Sequence, residues 1–361
     1  MDFYLPIAQV QINIFTLLIL SFAVGFLSGI FGIGGGFLMT PILIFLGIPA
    51  AYAVSNVANN ILGISVSGAT THWYKKTLDY KMGIMIVVGG LVGSIIGIEI
   101  FKYLREVGNI NTIIALAYIY LLAIIGTIIF VEGIREISAL KKKIIVKKKL
   151  HTHYWIHGLP FRMRFSKSKL YESALTPIIL GFLVGIFASI MGIGGAFLMV
   201  PAMIYLIGMP TKLIPGTSLF VTIFITAFVV VGHAIHFKSI DITLVSFLLL
   251  GSIIGLHLGL KVAEKLNASE YKALLAMLLI VFGVFIGIET FVLNAGNNIA
   301  SLKPSVELSD LSVSIKRLAK NSPIAYASLS LFFVVFVGFI FSYIRELIHH
   351  FRFSKKENTK S

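Results

Sequence analysis

Cysteine is absent from the 361 residues, so no thiolate metal site, redox pair or thiol nucleophile can form, and disulfide usage says nothing about compartment. Charge is scarce as well: Asp, Glu, Lys and Arg make up 12% of the chain, where an ordinary soluble domain carries about 25%. Acid is scarcer than base, 15 Asp and Glu against 30 Lys and Arg, for a net charge of +15. Intramembrane catalysis needs a nucleophile or an acid–base pair, and the chain lacks His-Glu-x-x-His, Gly-x-Ser-x-Gly, paired Asp and a Walker sequence. These absences disfavour a soluble enzyme, a disordered chain, a disulfide scaffold and an ATP-driven subunit.

What fills the chain instead is apolar, with 57% hydrophobic residues and a mean hydropathy of +0.96. A soluble fold of this composition would expose large apolar patches, so the reading is an integral membrane protein. A bilayer core needs about 20 apolar helical residues. Such stretches occur near 12–31, 51–72, 82–101, 111–131, 174–191, 212–236, 242–260, 271–291 and 323–344. Two shorter pieces, 36–47 and 195–207, each follow a glycine cluster and have the length of half-helices, re-entrant segments or short crossings. Residues 1–11 contain no Lys or Arg, so the first span lacks the basic flank of a cleaved signal peptide and is expected to be retained.

The charge is concentrated. Arg135 to Lys169 hold eleven basic residues and one acid, Glu136, which accounts for +10 of the +15. The positive-inside rule places this linker in the cytoplasm, together with the tail bearing Arg345, Arg352, Lys355, Lys356 and Lys360. Inside-to-inside passage requires an even number of crossings. Counting the short pieces as crossings gives six after the linker, and five before it, with the N-terminus outside. The linker's lysines are suited to anionic lipid headgroups, and topology alone explains its charge without nucleic acid. Its histidines, His151, His153 and His157, have no carboxylate or cysteine beside them and are not read as a metal site; His349 and His350 carry no recognisable site either.

The chain repeats itself. Val24-Gly25-Phe26-Leu27-Ser28-Gly29-Ile30-Phe31-Gly32-Ile33-Gly34-Gly35-Gly36-Phe37-Leu38-Met39-Thr40-Pro41 aligns with Val184 to Pro201 at an offset of 160. Gly93-Ser94-Ile95-Ile96-Gly97 recurs as Gly251 to Gly255, and Lys76-Thr77-Leu78-Asp79 as Lys238-Ser239-Ile240-Asp241. Five crossings per half would invert one repeat against the other, an arrangement that places a transported solute at the repeat interface. The expected fold class is therefore an all-α, polytopic membrane bundle of two homologous, inverted repeats with glycine-broken helices, plus one extra C-terminal span. The corresponding division is 12–131, first repeat; 132–173, basic cytoplasmic linker; 174–291, second repeat; 292–322, polar loop; 323–344, extra helix; 345–361, basic tail.

Each glycine costs a helix about 1 kcal/mol against alanine, so Gly32-Ile33-Gly34-Gly35-Gly36 and Gly192-Ile193-Gly194-Gly195 read as helix breaks. Broken backbone within a bilayer must be buried in protein or line a wet cavity. The short helix after each break aims the positive end of its dipole there, which suits an anion. The competing reading is close helix packing through small residues.

The paired Gly-x-Gly-Gly-(Gly/Ala)-Phe-Leu-x-x-Pro elements and duplicated layout resemble the TauE/SafE sulfite exporter family, also called the toluene-sulfonate uptake permease family. The resemblance covers about 12–291 and implies transport of sulfite, sulfonates or related sulfur anions. It maps the family motif onto Gly32, Gly34, Gly35, Gly36 and Pro41, and onto Gly192, Gly194, Gly195 and Pro201. The family's Gly-Thr-Ser element is matched by Gly216-Thr217-Ser218; the first half reads Val54-Ser55-Asn56 there.

Asn56, Asn59 and Asn60 share a helical face by spacing, and Thr217, Ser218 and Thr222 hold the corresponding part of the second half, making uncharged anion ligands. Interhelical hydrogen bonding is the alternative for such residues. Glu99, His233 and His257 are the proton-coupling candidates, because ionisable groups within spans are functional candidates by default and histidine titrates near neutrality; His72 is a fourth such group nearer a loop. The expected function is a cell-membrane secondary transporter of small anions, with no cofactor or metal. The alternative is an anion channel or another non-enzymatic polytopic membrane protein.

Overall fold

A computed structural model describes residues 2–108 apart from 6, 8 and 9, residues 160–266 apart from 238, and scattered positions within 113–127 and 270–281. The extra span 323–344, the polar loop, the tail and most of the linker lie outside the described residues, as do parts of the spans at 111–131 and 271–291.

The described elements form two runs of the same kind. The first is β1 (Asp2–Leu5), β2 (Val10–Asn13), α1 (Ile14–Phe31), α2 (Gly36–Phe45), α3 (Ala50–Tyr74) and α4 (Tyr80–Glu106). The second is β3 (Arg162–Phe165), β4 (Leu170–Ser173), α5 (Leu175–Met191), α6 (Ala196–Tyr205), α7 (Ile214–Phe237) and α8 (Ile242–Ala263). Four helices, α1, α4, α7 and α8, are long and apolar enough to cross a membrane. The protein is a helical, multi-pass membrane protein, and its surface agrees. On α4 the exposed face carries Ile84, Val88, Val92 and Ile95, and on α8 Leu250, Ile254 and Leu258, while Ser, Thr and Asn side chains are buried within. Water would penalise that distribution, and lipid does not.

The two hairpins were not anticipated from sequence. β1 pairs with β2 and β3 with β4, both antiparallel. The first hairpin's last residue caps the helix that follows, Asn13 Oδ1 accepting from the amides of Phe15 and Thr16, and at the second hairpin Ser173 Oγ, one residue before the N-cap Ala174, accepts from the amide of Leu175. Strands of four residues are too short to show a strand period, which is why the signal was missed.

Close packing pairs α1 with α8 and α4 with α5. A Cβ on Gly25 would stand 2.1 Å from the Ser252 carbonyl oxygen, and one on Gly259 2.0 Å from that of Phe26. On the other side a Cβ on Gly93 would stand 2.0 Å from the Phe182 oxygen, and one on Gly185 2.1 Å from that of Gly90. Small residues every fourth position thus let backbones touch, which supplies dispersion contact where lipid offers no hydrophobic drive.

Contacts also fix helix direction. Asp79 caps α4 and Asp241 caps α8, each accepting from first-turn amides. At the Asp79 end lie the end of α3, the start of α7 (through Thr217), the end of α8 (through the Lys75–Glu264 ion pair) and the β3–β4 hairpin. At the Asp241 end lie the start of α3 (through Asn56), the end of α4 (Arg105 over the Phe237 ring) and the β1–β2 hairpin. α1, α3 and α8 therefore run from the Asp241 end to the Asp79 end, and α4, α5 and α7 run the other way.

Candidate functional site

α1 and α5 each end in a left-handed glycine, Gly32 and Gly192, and the chain reverses. Gly34 and Gly35 (φ 72° and 73°) and Gly194 and Gly195 (φ 63° and 70°) continue in the left-handed region that only glycine adopts without strain. The reversal folds α2 back along α1, since a Cβ on Gly35 would meet Val24 and Ser28, and folds α6 back along α5, where Gly195 meets Val184. The short pieces at 36–47 and 195–207 are thus half-helices, α2 and α6, that start inside the bundle.

The two breaks meet. Gly34 and Gly194 both face Ile61 of α3 and Thr222 of α7: Cβ atoms on them would lie 3.0 and 2.8 Å from Ile61 Cγ2, and 3.9 and 3.0 Å from Thr222 Cγ2. A Cβ on Gly36 would lie 2.9 Å from Ile193 Cα, and the Phe37 and Phe197 rings stack at 5.9 Å in the first turns of the half-helices. Two helix N-termini, neither with a side-chain cap, converge at the centre of a buried core. That places two partial positive charges where, among the described residues, no formal charge stands.

The helix ends beside the breaks are held from the other half of the chain. Tyr271 donates to the Phe31 carbonyl at 2.7 Å, Tyr118 to the Met191 carbonyl at 3.1 Å, and Ser218 to the Gly32 carbonyl at 2.7 Å. The tyrosines went unnoticed in sequence because a lone Tyr in an apolar span has no spacing signal. The model for Sulfite exporter TauE/SafE matches residues 17–286. The chain belongs to that family.

Within the TauE/SafE family the curated relatives are membrane transporters by name. "Probable membrane transporter protein YjnA" of Bacillus subtilis (strain 168) is 27% identical over 275 residues, 74% of this chain and 98% of its own. "Probable membrane transporter protein YunE" of the same strain is 27% identical over 277 residues, covering 74% and 94%. "Probable membrane transporter protein MJ0441" of Methanocaldococcus jannaschii is 25% identical over 282 residues, covering 74% and 93%. No solved structure matches the chain significantly.

Against this TauE/SafE framework the sequence candidates separate into groups. The glycines Gly32, Gly34, Gly35, Gly36, Gly192, Gly194 and Gly195 are brought together as described. Asn56 and Thr217 are not at the breaks but hold corners between the halves. Asn56 Nδ2 donates to the carbonyls of Tyr52 (2.7 Å) and Ser239 (3.0 Å), and its Oδ1 accepts from the Asp241 amide (2.6 Å). Thr217 Oγ1 accepts from the Asp79 amide at 3.1 Å. Asn59 and Asn60 are buried in α3, and Asn60 Nδ2 donates to Ser252 Oγ at 3.2 Å.

The ionisable candidates are scattered. His233 is fully buried, with Nδ1 3.1 Å from Ser55 Oγ and Nε2 3.0 Å from the Ser189 carbonyl. A carbonyl accepts only, so Nε2 carries the proton and Nδ1 accepts from Ser55. Its ring lies 4.6 Å from that of Phe101. Glu99 stands on the exposed face of α4 among Ile95, Ile96 and Ile100. His257 is half-buried on α8, with Nδ1 2.9 Å from the Ile253 carbonyl.

Proposed function

We propose that this protein is a secondary transporter that carries a small sulfite- or sulfonate-type anion across the cell membrane, by alternating access between two inverted repeats. The observation that carries the reading is the meeting of the two glycine breaks at Ile61 and Thr222, which aims two helix N-termini at one central point. An anion there is attracted by backbone dipoles without meeting a fixed charge, so it can bind and still leave. The opposite running of α1 against α5, α3 against α7 and α4 against α8 supports the inversion, and reciprocal caps between the halves give the moving bodies defined hinges. The Asp79 end, next to the basic linker, is the cytoplasmic end. Within this reading His233 takes the coupling role ahead of Glu99 and His257, because its ring links α3, α5 and α7. No catalytic step belongs to this reading.

Proteoliposomes holding the purified protein test it with sulfite, sulfate and methanesulfonate. Saturable uptake and counterflow of at least one anion are expected; flux that rises linearly with concentration and shows no counterflow would make the protein a channel. Because cysteine is absent, one cysteine introduced at Ser361 or within 141–149 reports orientation directly. Labelling from the cytoplasmic face alone is the expected result. Removing the imidazole with His233→Gln should uncouple uptake from a pH gradient while counterflow persists, and an unchanged response to the gradient would remove His233 from the coupling role.

A further inference from the structure

Buried helical hydroxyls in this protein have a habit: Ser94, Ser189, Thr217, Thr222 and Thr226 each donate to the carbonyl four residues back. That return bond satisfies a group which otherwise costs about 1–3 kcal/mol to bury. Among the described residues, the helical hydroxyls of Ser28, Thr40, Ser65, Ser67 and Thr176 break the habit, and two of these, Ser28 on α1 and Ser65 on α3, stand beside the first break. Both are fully buried and neither Oγ has a hydrogen-bond partner. Ser67 shares this property, but it stands two residues from Ser65 and so points from the opposite side of α3.

Ser28 and Ser65 flank the same peptide. A Cβ on Gly34 would lie 4.0 Å from Ser65 Oγ, and one on Gly35 3.4 Å from Ser28 Cβ. Gly35 is the uncapped N-cap of the ten-residue helix α2. Two unsatisfied hydroxyl donors therefore border one helix N-terminus inside the buried core. The second break is built differently. The repeat alignment sets Ala188 opposite Ser28, and the two α7 threonines beside Gly194, Thr222 and Thr226, turn their methyls to the glycine and spend their hydroxyls on the carbonyls of Ser218 and Thr222.

We infer that side chains hold the anion at the first break alone: Ser28 and Ser65 donate to its oxygens at the N-terminus of α2, while the second break offers only the N-terminus of α6 and apolar side-chain groups. This rests on the transporter reading above and makes its site one-sided, although the repeats that form it are two-sided. An oxyanion suits the place better than a cation, since both the hydroxyl protons and the helix dipole present positive charge.

Thermal unfolding of the purified full-length protein in detergent, titrated with choline salts of sulfite, sulfate and methanesulfonate against choline chloride, tests this. Wild type is expected to gain stability with at least one oxyanion. Ser28→Ala and Ser65→Ala should each need roughly tenfold or more anion for the same gain, with an unliganded midpoint equal to or above wild type, because alanine removes an unsatisfied group. Ser94→Ala, which deletes a self-satisfied hydroxyl elsewhere, should keep the wild-type titration. If both serine variants titrate like wild type, the one-sided seat is wrong while the transporter reading stands. A lowered unliganded midpoint with unchanged anion affinity would make the serines structural and equally overturn the seat. So would a serine-dependent gain that follows sodium in place of choline. A wild type indifferent to all three oxyanions would overturn the seat and the anion-transport reading together.

Discussion

The corner between α3 and α4 and the corner between α7 and α8 are built on one plan with different side chains. In each, an aspartate caps the next helix and takes the amide of a hairpin-tip residue from the other half of the chain: Ser168 on Asp79 and Ile7 on Asp241, both at 3.0 Å. In each, the aspartate's own amide is held across the halves, by Thr217 and by Asn56. In each, a histidine near the end of the preceding helix faces a hydroxyl of the corner. His233 reaches Ser239 through Ser55, whereas His72 touches Thr77 Oγ1 directly at 2.8 Å. The difference lies in what fills the space beside the histidine. Ser55 joins His233 and Ser239 in one buried network, but glycine, Gly216, sits against His72, which keeps 9% of its surface exposed. The same frame thus supports one sealed corner and one nearer to water, so its shape does not depend on the identity of the histidine's partner.

The sharpest way to break this comparison is to empty both histidine sites. His233→Ala should cost about 3–4 kcal/mol, through a core cavity and through Ser55 and the Ser189 carbonyl left without their partner; His72→Ala should cost about 1 kcal/mol. Thermal unfolding in detergent checks this, and equal losses would erase the distinction between the corners.

Next in size are the residues that hold the aspartate amides. Asn56→Ala removes three hydrogen bonds and should cost about 2–3 kcal/mol, against about 1 kcal/mol for Thr217→Val, which leaves only the Asp79 amide without its acceptor. Hydrogen exchange at Asp241 and Asp79 would localise the two effects. Converting one corner into the other is the subtler test. At Gly216 a Cβ would lie 2.6 Å from the Thr77 carbonyl oxygen and 2.8 Å from His72 Cβ, so Gly216→Ser should destabilise by about 1–3 kcal/mol and loosen the α3–α4 corner instead of sealing it. The smallest effect is expected at the rim. Lys75 and Glu264 pair with side chains 34% and 56% exposed, and Lys75→Ala should change stability by no more than about 0.5 kcal/mol, less in high salt.

Much of the frame was legible in sequence. The expected spans 51–72, 82–101, 174–191, 212–236 and 242–260 correspond to α3, α4, α5, α7 and α8 within a few residues, because lipid-length apolar runs carry a strong signal. Both glycine breaks fall where the motif placed them, since a run of glycines in an apolar segment disfavours helix whatever surrounds it. The polar residues were harder. Asn56, Thr217 and Ser218 stood out as ligands by type and spacing, yet the fold spends them on backbone groups of the opposite half. Ser28 lay in plain view inside the repeated motif and drew no notice, because an isolated serine is usually satisfied by its own helix.

Residue chemistry alone determined that this chain lives in a membrane, that its helices break at Gly32–Gly36 and Gly192–Gly195, and that its family is TauE/SafE, for each of these follows from local composition or motif. Only the tertiary structure decided which hydroxyls remain unsatisfied and which helices touch. Hydrogen-bond satisfaction is a property of neighbours brought from 44 to 240 residues away, and no local pattern records whether a partner will arrive.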